Sequence, residues 1–169
     1  ESFINKTRVL LSRFLLPKAD GIRVVSERIK RSLLTENFIK IKPVVLPVFV
    51  DVKKFAGATI NTNLKQKYPQ FDFLIMIASR LSQEKNIDLA LNAMVEIVKT
   101  RPQTGLVIVG EGKVKNRLKK LVESYNLQSN IIFEPWSLDL ASYYKTTDLF
   151  LLTSNYEGWG MTVVESAAC

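Results

Sequence analysis

Two stretches of this 169-residue chain carry side chains whose types and spacing suit chemistry. In Ala78-Ser79-Arg80-Leu81-Ser82-Gln83-Glu84-Lys85-Asn86, Arg80 leaves the end of an apolar run and Lys85 stands just ahead of a helical pattern. Two cations beside the free N–H groups of a helix start form a receptor for a diphosphate. Read singly, each is equally a solvated loop charge. In Glu157-Gly158-Trp159-Gly160-Met161-Thr162-Val163-Val164-Glu165, two carboxylates are separated by seven residues. Gly158 and Gly160 let the backbone approach a ligand closely. Thr162 is expected to cap the helix that follows, with Glu165 in its first turn reaching back to accept paired hydroxyls. Glu157, in the loop, is placed to bond sugar hydroxyls, so the pair suits a polyhydroxylated ligand. Taken alone, Glu165 only complements a helix dipole and Glu157 is a solvated loop acid.

Three further features read less sharply. Gly110-Glu111-Gly112 mimics part of a dinucleotide fingerprint, but it follows the second regular strand and Lys115 stands where the third glycine belongs. A tight turn that keeps a cleft open is its expected role. Trp136 suits either a nucleobase face or the core. Lys113, Lys115, Arg117, Lys119 and Lys120 read first as a solvated helix face and second as a nucleic-acid surface.

Positioning these residues requires regular elements. From Phe71 the chain alternates apolar runs with helical periodicity: strands at 73–78, 106–109, 131–133 and 149–152, and helices at 86–99, 114–125, 138–145 and from 162 onward. Continuous apolar runs mark strands buried on both faces, and strand–helix alternation specifies parallel βαβ units. The expected fold class is therefore α/β, a Rossmann-like doubly wound parallel sheet. Ligands of such sheets bind beyond the carboxyl ends of the strands, where both clusters fall. Ahead of it lie a basic amphipathic helix from Phe3 to Leu16 ended by Pro17, a short strand at 21–25, a helix capped by Ser26, and an apolar run at 44–50. Residues 1–46 read as the end of a preceding domain, 47–70 as a linker rich in Lys, Asn and Thr, and 71–169 as the main domain. The pattern starts mid-element and stops where another strand and a closing helix are expected, so the sequence reads as a piece of a larger enzyme.

Composition narrows the chemistry. Hydrophobic residues make up 47% and charged residues 24%, ordinary for a globular chain. No apolar run reaches membrane-spanning length. There is no histidine and a single cysteine, Cys169, which excludes a Ser/His triad, histidine ligands and a cysteine zinc cluster within these residues. The net charge is +8, and residues 1–60 hold 12 Lys and Arg against 5 Asp and Glu. That front-loaded charge points to an anionic partner.

The combined pattern resembles the C-terminal, donor-binding half of retaining GT-B glycosyltransferases, specifically glycosyltransferase family 4. Residues 78–86 resemble that family's Gly-Arg-Leu…Lys-Asn phosphate loop, with Ser79 in place of the usual glycine. Ser154 to Ala167 resembles its Glu-x7-Glu motif. Val24-Val25-Ser26-Glu27 followed by Val45-Leu46-Pro47-Val48-Phe49-Val50-Asp51 resembles the end of the N-terminal domain and the interdomain strand, with Phe49 replacing a glycine. The resemblance implies a hexosyltransferase acting on a nucleotide-diphospho-sugar and a saccharide or lipid-linked acceptor, with retention, as in cell-envelope polysaccharide biosynthesis. Arg80 and Lys85 would stabilise the leaving diphosphate, and Glu157 would bind the transferred sugar. Glu165 would take the ribose hydroxyls, while backbone amides of Gly158, Trp159, Gly160 and Met161 touch sugar and phosphates. It further implies no metal and no cofactor beyond the donor, no nucleic-acid partner, a cytoplasmic setting, and no turnover by residues 1–169 alone. The basic N-terminal helix fits a surface that docks on anionic membrane, and equally a helix packed on the preceding domain. Alternatives are a nucleotide-sugar 2-epimerase of the same architecture and a basic nucleic-acid-binding module.

Overall fold

The structure, a computed structural model, describes residues 3–35 and 39–169, with side chains of the first helix described from residue 7. The side chains of Ile4 and Lys6, expected in the basic amphipathic stripe, lie outside that description. The chain divides into two compact units, residues 1–49 and 50–169.

The first unit holds α1 (Phe3–Leu15), β1 (Arg23–Val24), α2 (Glu27–Leu34) and β2 (Val44–Val45). Pro17 sits in the 3-10 turn Leu16–Lys18 that follows α1. Ser26 caps α2, its hydroxyl accepting from the Ile29 N–H at 3.3 Å. β1 and β2 pair in parallel, and the Arg23 guanidinium donates to the Leu46 carbonyl at 3.1 and 3.3 Å. Val9, Leu10, Leu11, Phe14 and Leu15 are exposed along α1.

The second unit begins with α3 (Val52–Gly57) and α4 (Leu64–Lys67). It continues through β3 (Phe73–Ala78), α5 (Ile87–Thr100), β4 (Thr104–Val109), α6 (Lys115–Ser124) and β5 (Ile131–Glu134), ending with α7 (Leu140–Lys145), β6 (Leu149–Phe150) and α8 (Met161–Ala167). Its four strands form one parallel sheet in the order β5-β4-β3-β6. Because side chains alternate across a strand, the two faces carry different layers. Ile75, Ile77, Leu106, Ile108 and Ile131 pack against Leu91 and Met94 of α5 and Leu118 and Val122 of α6. Leu74, Met76, Ala78, Val107 and Val109 pack against Leu64, Leu140, Tyr143 and Tyr144. This two-sided burial is why β3 and β4 read as unbroken apolar runs.

The expected linker, 47–70, contains two short helices, α3 and α4. Asp51 and Asn63 cap α3 and α4 by accepting from the Lys54 and Gln66 N–H groups. Leu64 is wholly buried. α7 holds the same stretch through polar bonds: Ser142 Oγ accepts from Asn61 N at 2.8 Å, Thr146 Oγ1 accepts from Leu64 N at 3.1 Å, and Lys145 Nζ donates to the carbonyls of Ala56 and Ala58 at 2.7 Å. Helices of four and six residues are too short to show periodicity, and tertiary contacts stabilise them. Three strands also differ in extent: β4 starts at Thr104, β5 runs on to Glu134, and β6 covers only Leu149–Phe150.

Candidate functional site

All four strands of the second unit point the same way, so their following loops share one edge of the sheet. The loop after β3 is anchored by Leu81, wholly buried, and by bonds from Ser79 N to Val109 O (3.1 Å) and Leu81 N to Glu111 O (2.8 Å). Gly110 and Gly112 make that approach feasible. A Cβ on either would overlap the carbonyl oxygen of Ser79 or Leu81, and Gly110 has φ +140°. Ser79, standing where the resembled motif has glycine, is buried, and its hydroxyl donates to the Arg80 carbonyl.

Across this loop and the one after β6, Lys85 Nζ lies 2.5 Å from Glu157 Oε1, with side-chain exposures of 15% and 27%. Ser154 Oγ donates to the same carboxylate oxygen at 2.8 Å. Burial pushes the Glu157 carboxyl up, but the bonds from Lys85 and Ser154 outweigh it and hold the group below its ordinary value. Further hydrogen bonds join the two loops: Thr153 Oγ1 donates to Lys85 O (2.9 Å), Asn155 N donates to Glu84 O (2.9 Å), and Asn86 Nδ2 donates to Asn155 Oδ1 (3.1 Å).

Arg80 stands on the same loop with its side chain 81% exposed, 3.7 Å from Glu84 Oε1. An ion pair that open to water contributes little, so the guanidinium is available to a ligand. The hydroxyl of Ser82, more than Arg80, holds the Glu84 carboxyl below its usual value.

Glu165 is placed differently from expectation. α8 begins at Met161 with Gly160 as its N-cap residue, so Thr162 lies inside the helix and is not the cap. Glu165 is the fifth helical residue, beyond the first turn, and accepts from the Tyr144 hydroxyl at 3.3 Å. Burial above all, then the Glu165 charge, raises the Tyr144 pKa, so the phenol stays a donor. Glu165 lines a cavity of about 380 Å³ with Trp136, Met161, Thr162, Phe55 and Leu140. Trp136 is half-exposed on that cavity and not in the core. Trp159 and Met161 are partly exposed, and Gly158 and Gly160 are half-buried. The structure thus joins Lys85 to Glu157 directly, keeps Arg80 on the same loop as Lys85, and groups Glu165, Trp136 and Met161 around a separate cavity.

Several residues passed over in the sequence hold the site. Ser154 lies three residues before Glu157 and fixes its carboxylate; its place in a Ser-x-x-Glu spacing was the available signal. Tyr144, on a short helix, gives no sequence signal at all. Glu134, ending β5, is a buried carboxylate bonded by Lys67 Nζ at 2.5 Å and by the Tyr68 hydroxyl. Burial first, and that bond second, push Tyr68 up to about 12. Among the described residues, no group of three or more His, Cys, Asp or Glu is arranged to hold a metal ion. No described helix is long and apolar enough to cross a membrane. On α6, Arg117 pairs with Asp88 (2.9 Å) and Lys115 with Glu111 (2.6 Å).

Residues 61–169 match the sequence family described as glycosyl transferases group 1. The chain is 32% identical over 166 residues to alpha-monoglucosyldiacylglycerol synthase of Streptococcus pneumoniae, covering 94% of this chain and 37% of that protein. It is 30% identical over 128 residues to the Escherichia coli UDP-Gal:alpha-D-GlcNAc-diphosphoundecaprenol alpha-1,3-galactosyltransferase, covering 72% of this chain and 33% of that one. The chain therefore spans about a third of the length of these curated relatives. Its fold is that of Anabaena HepE solved with UDP-glucose, with a TM-score of 0.83 at 18% identity, over 96% of this chain and 46% of HepE.

Proposed function

The chain belongs to the glycosyl transferases group 1 family, and from that premise we propose that it forms the donor-binding part of a retaining, family 4 glycosyltransferase. The protein transfers a hexosyl group from a UDP-sugar to a saccharide or lipid-linked acceptor, and residues 1–46 belong to the acceptor-side domain. The observation that carries this reading is the 2.5 Å contact between Lys85 and Glu157, which sets a cation and a carboxylate together at the ligand-binding edge of a parallel sheet. The UDP preference is supported by relatives and fold neighbours whose names specify UDP-linked sugars.

In the reaction the bond between the anomeric carbon and the diphosphate oxygen breaks, and its electron pair leaves with the nucleotide. Arg80 and Lys85 offset the charge that develops there, the largest electrostatic contribution in transfers of this kind. Glu157 holds hydroxyls of the moving sugar. Glu165, oriented by Tyr144, accepts the ribose diol, with the base against Trp136. Main-chain amides from Gly158 to Met161 contact sugar and phosphate. The acceptor hydroxyl forms the new bond on the face the leaving group vacates, and its proton passes to the departing phosphate oxygen or solvent. The donor is bound without a metal, and the protein works in the cytoplasm, with the basic α1 facing anionic membrane. The carboxylate pair separated by seven residues favours transfer over 2-epimerisation.

Calorimetric titration with UDP, GDP and ADP tests the assignment. UDP is expected to bind, and Arg80→Ala and Glu165→Ala are each expected to weaken it roughly tenfold, the scale of a lost charge-assisted hydrogen bond. Unchanged binding in both variants would refute the site.

A further inference from the structure

We propose that Glu157 also makes the site discriminate between a sugar nucleotide and the bare nucleoside diphosphate, by competing with the diphosphate for Lys85. The inference rests on the donor-site reading above and adds to it a role that the static assignment of sugar-binding carboxylate does not contain.

The two cations of the β3 loop differ in availability. Arg80 projects into water with a distant partner at 3.7 Å, so a phosphate reaches it at little cost. Lys85 is shielded to 15% exposure, and its ammonium is already hydrogen-bonded to Glu157 Oε1 at 2.5 Å. That carboxylate oxygen is held a second time by Ser154 Oγ at 2.8 Å. The two loops bearing these groups are joined by one backbone bond, Asn155 N to Glu84 O, and by two side-chain bonds, Thr153 Oγ1 to Lys85 O and Asn86 Nδ2 to Asn155 Oδ1. Lys85 and Glu157 therefore part by side-chain rotation and not by the loops drifting open.

A diphosphate that takes Lys85 from Glu157 has two consequences. It brings a second anion beside a half-buried carboxylate, and it strips that carboxylate of its cation. The diphosphate itself offers Glu157 nothing in return, because its oxygens are acceptors. A hexosyl group offers hydroxyl donors at the place Glu157 occupies. The sugar nucleotide thus exchanges the Lys85 contact of Glu157 for sugar hydroxyls, whereas the nucleotide left after transfer takes the cation and supplies no such donor. Glu157 returning to Lys85 then favours release of the product.

Titration of the full chain with UDP and with uridine tests this in the wild type, Glu157→Gln, Ser154→Ala, Lys85→Ala and the Lys85→Ala/Glu157→Gln double variant. Glu157→Gln is expected to bind UDP about threefold to tenfold more tightly than the wild type, the range of a partly buried charged contact. Ser154→Ala shifts in the same direction by a smaller factor. The gain disappears in the Lys85→Ala background, and uridine affinity does not move with either substitution. Equal or weaker UDP binding by Glu157→Gln, with the wild type binding UDP, overturns the competition alone. A wild type that does not bind UDP overturns the donor-site reading and the competition with it.

Discussion

Gly110→Ala is the sharpest perturbation of the scaffold under the site. Gly110 has φ +140°, and a Cβ there would overlap the Ser79 carbonyl oxygen, a backbone atom that cannot rotate away. The residue is also tied on its other side, its N–H donating to Glu134 O at 3.1 Å. An L-residue forced into that conformation costs on the order of 1–3 kcal/mol. Relief requires the ends of β3 and β4 to separate, which sacrifices the bond from Ser79 N to Val109 O at 3.1 Å and disturbs that from Leu81 N to Glu111 O at 2.8 Å. Each lost hydrogen bond adds about 1 kcal/mol. The sum is roughly 3–4 kcal/mol, a large share of a domain's typical stability. Urea unfolding followed by circular dichroism reads this as a midpoint lowered by about 1.5–2 M at a slope of about 2 kcal/mol/M. Gly57→Ala is the control, since nothing lies within 4 Å of a Cβ at that position. A Gly110→Ala protein within about 1 kcal/mol of the wild type, on the scale of an average substitution, would refute the close-approach account.

Lys145→Met removes the ammonium that bonds the carbonyls of Ala56 and Ala58. It is expected to cost about 1–3 kcal/mol and to speed limited proteolysis within residues 56–63, and an unchanged digestion rate would count against the docking of that stretch. Asp148 accepts from Leu74 N–H at 2.8 Å and from Lys65 Nζ at 2.5 Å; burial pushes its carboxyl up, but these bonds win and hold it below the ordinary 3.8. A lowered folded-state pKa means the stabilisation is complete above 3.8 and is lost as pH falls below it through the folded value. Asp148→Asn is therefore expected to be about 1–2 kcal/mol less stable at pH 7, with the gap closing below pH 3.8, and a gap constant across a pH series of denaturant midpoints would refute the linkage.

Much of the second unit was legible before any coordinates. β3 falls where the apolar run Phe73–Ala78 places it, because a strand covered on both faces has no polar residue to break the pattern. The parallel α/β class followed from strands alternating with amphipathic helices. The short pieces were not legible. α3 and α4 lie where composition suggests a linker, and bonds from Ser142, Lys145 and Thr146, some 80 residues later, stabilise them. The start of α8 shifted because the helix begins at Met161 behind Gly160, which moved Glu165 out of the first turn and toward Tyr144.

By itself the sequence determined which residue types were present near strand ends and which were excluded everywhere, since apolar runs and residue counts are local properties of the chain. That Lys85 and Glu157, 72 positions apart, make one ion pair while Arg80 stays open to water was decided only in three dimensions. The order β5-β4-β3-β6 sets the β3 and β6 loops side by side, and a contact between loops depends on strand order, which local patterning does not encode.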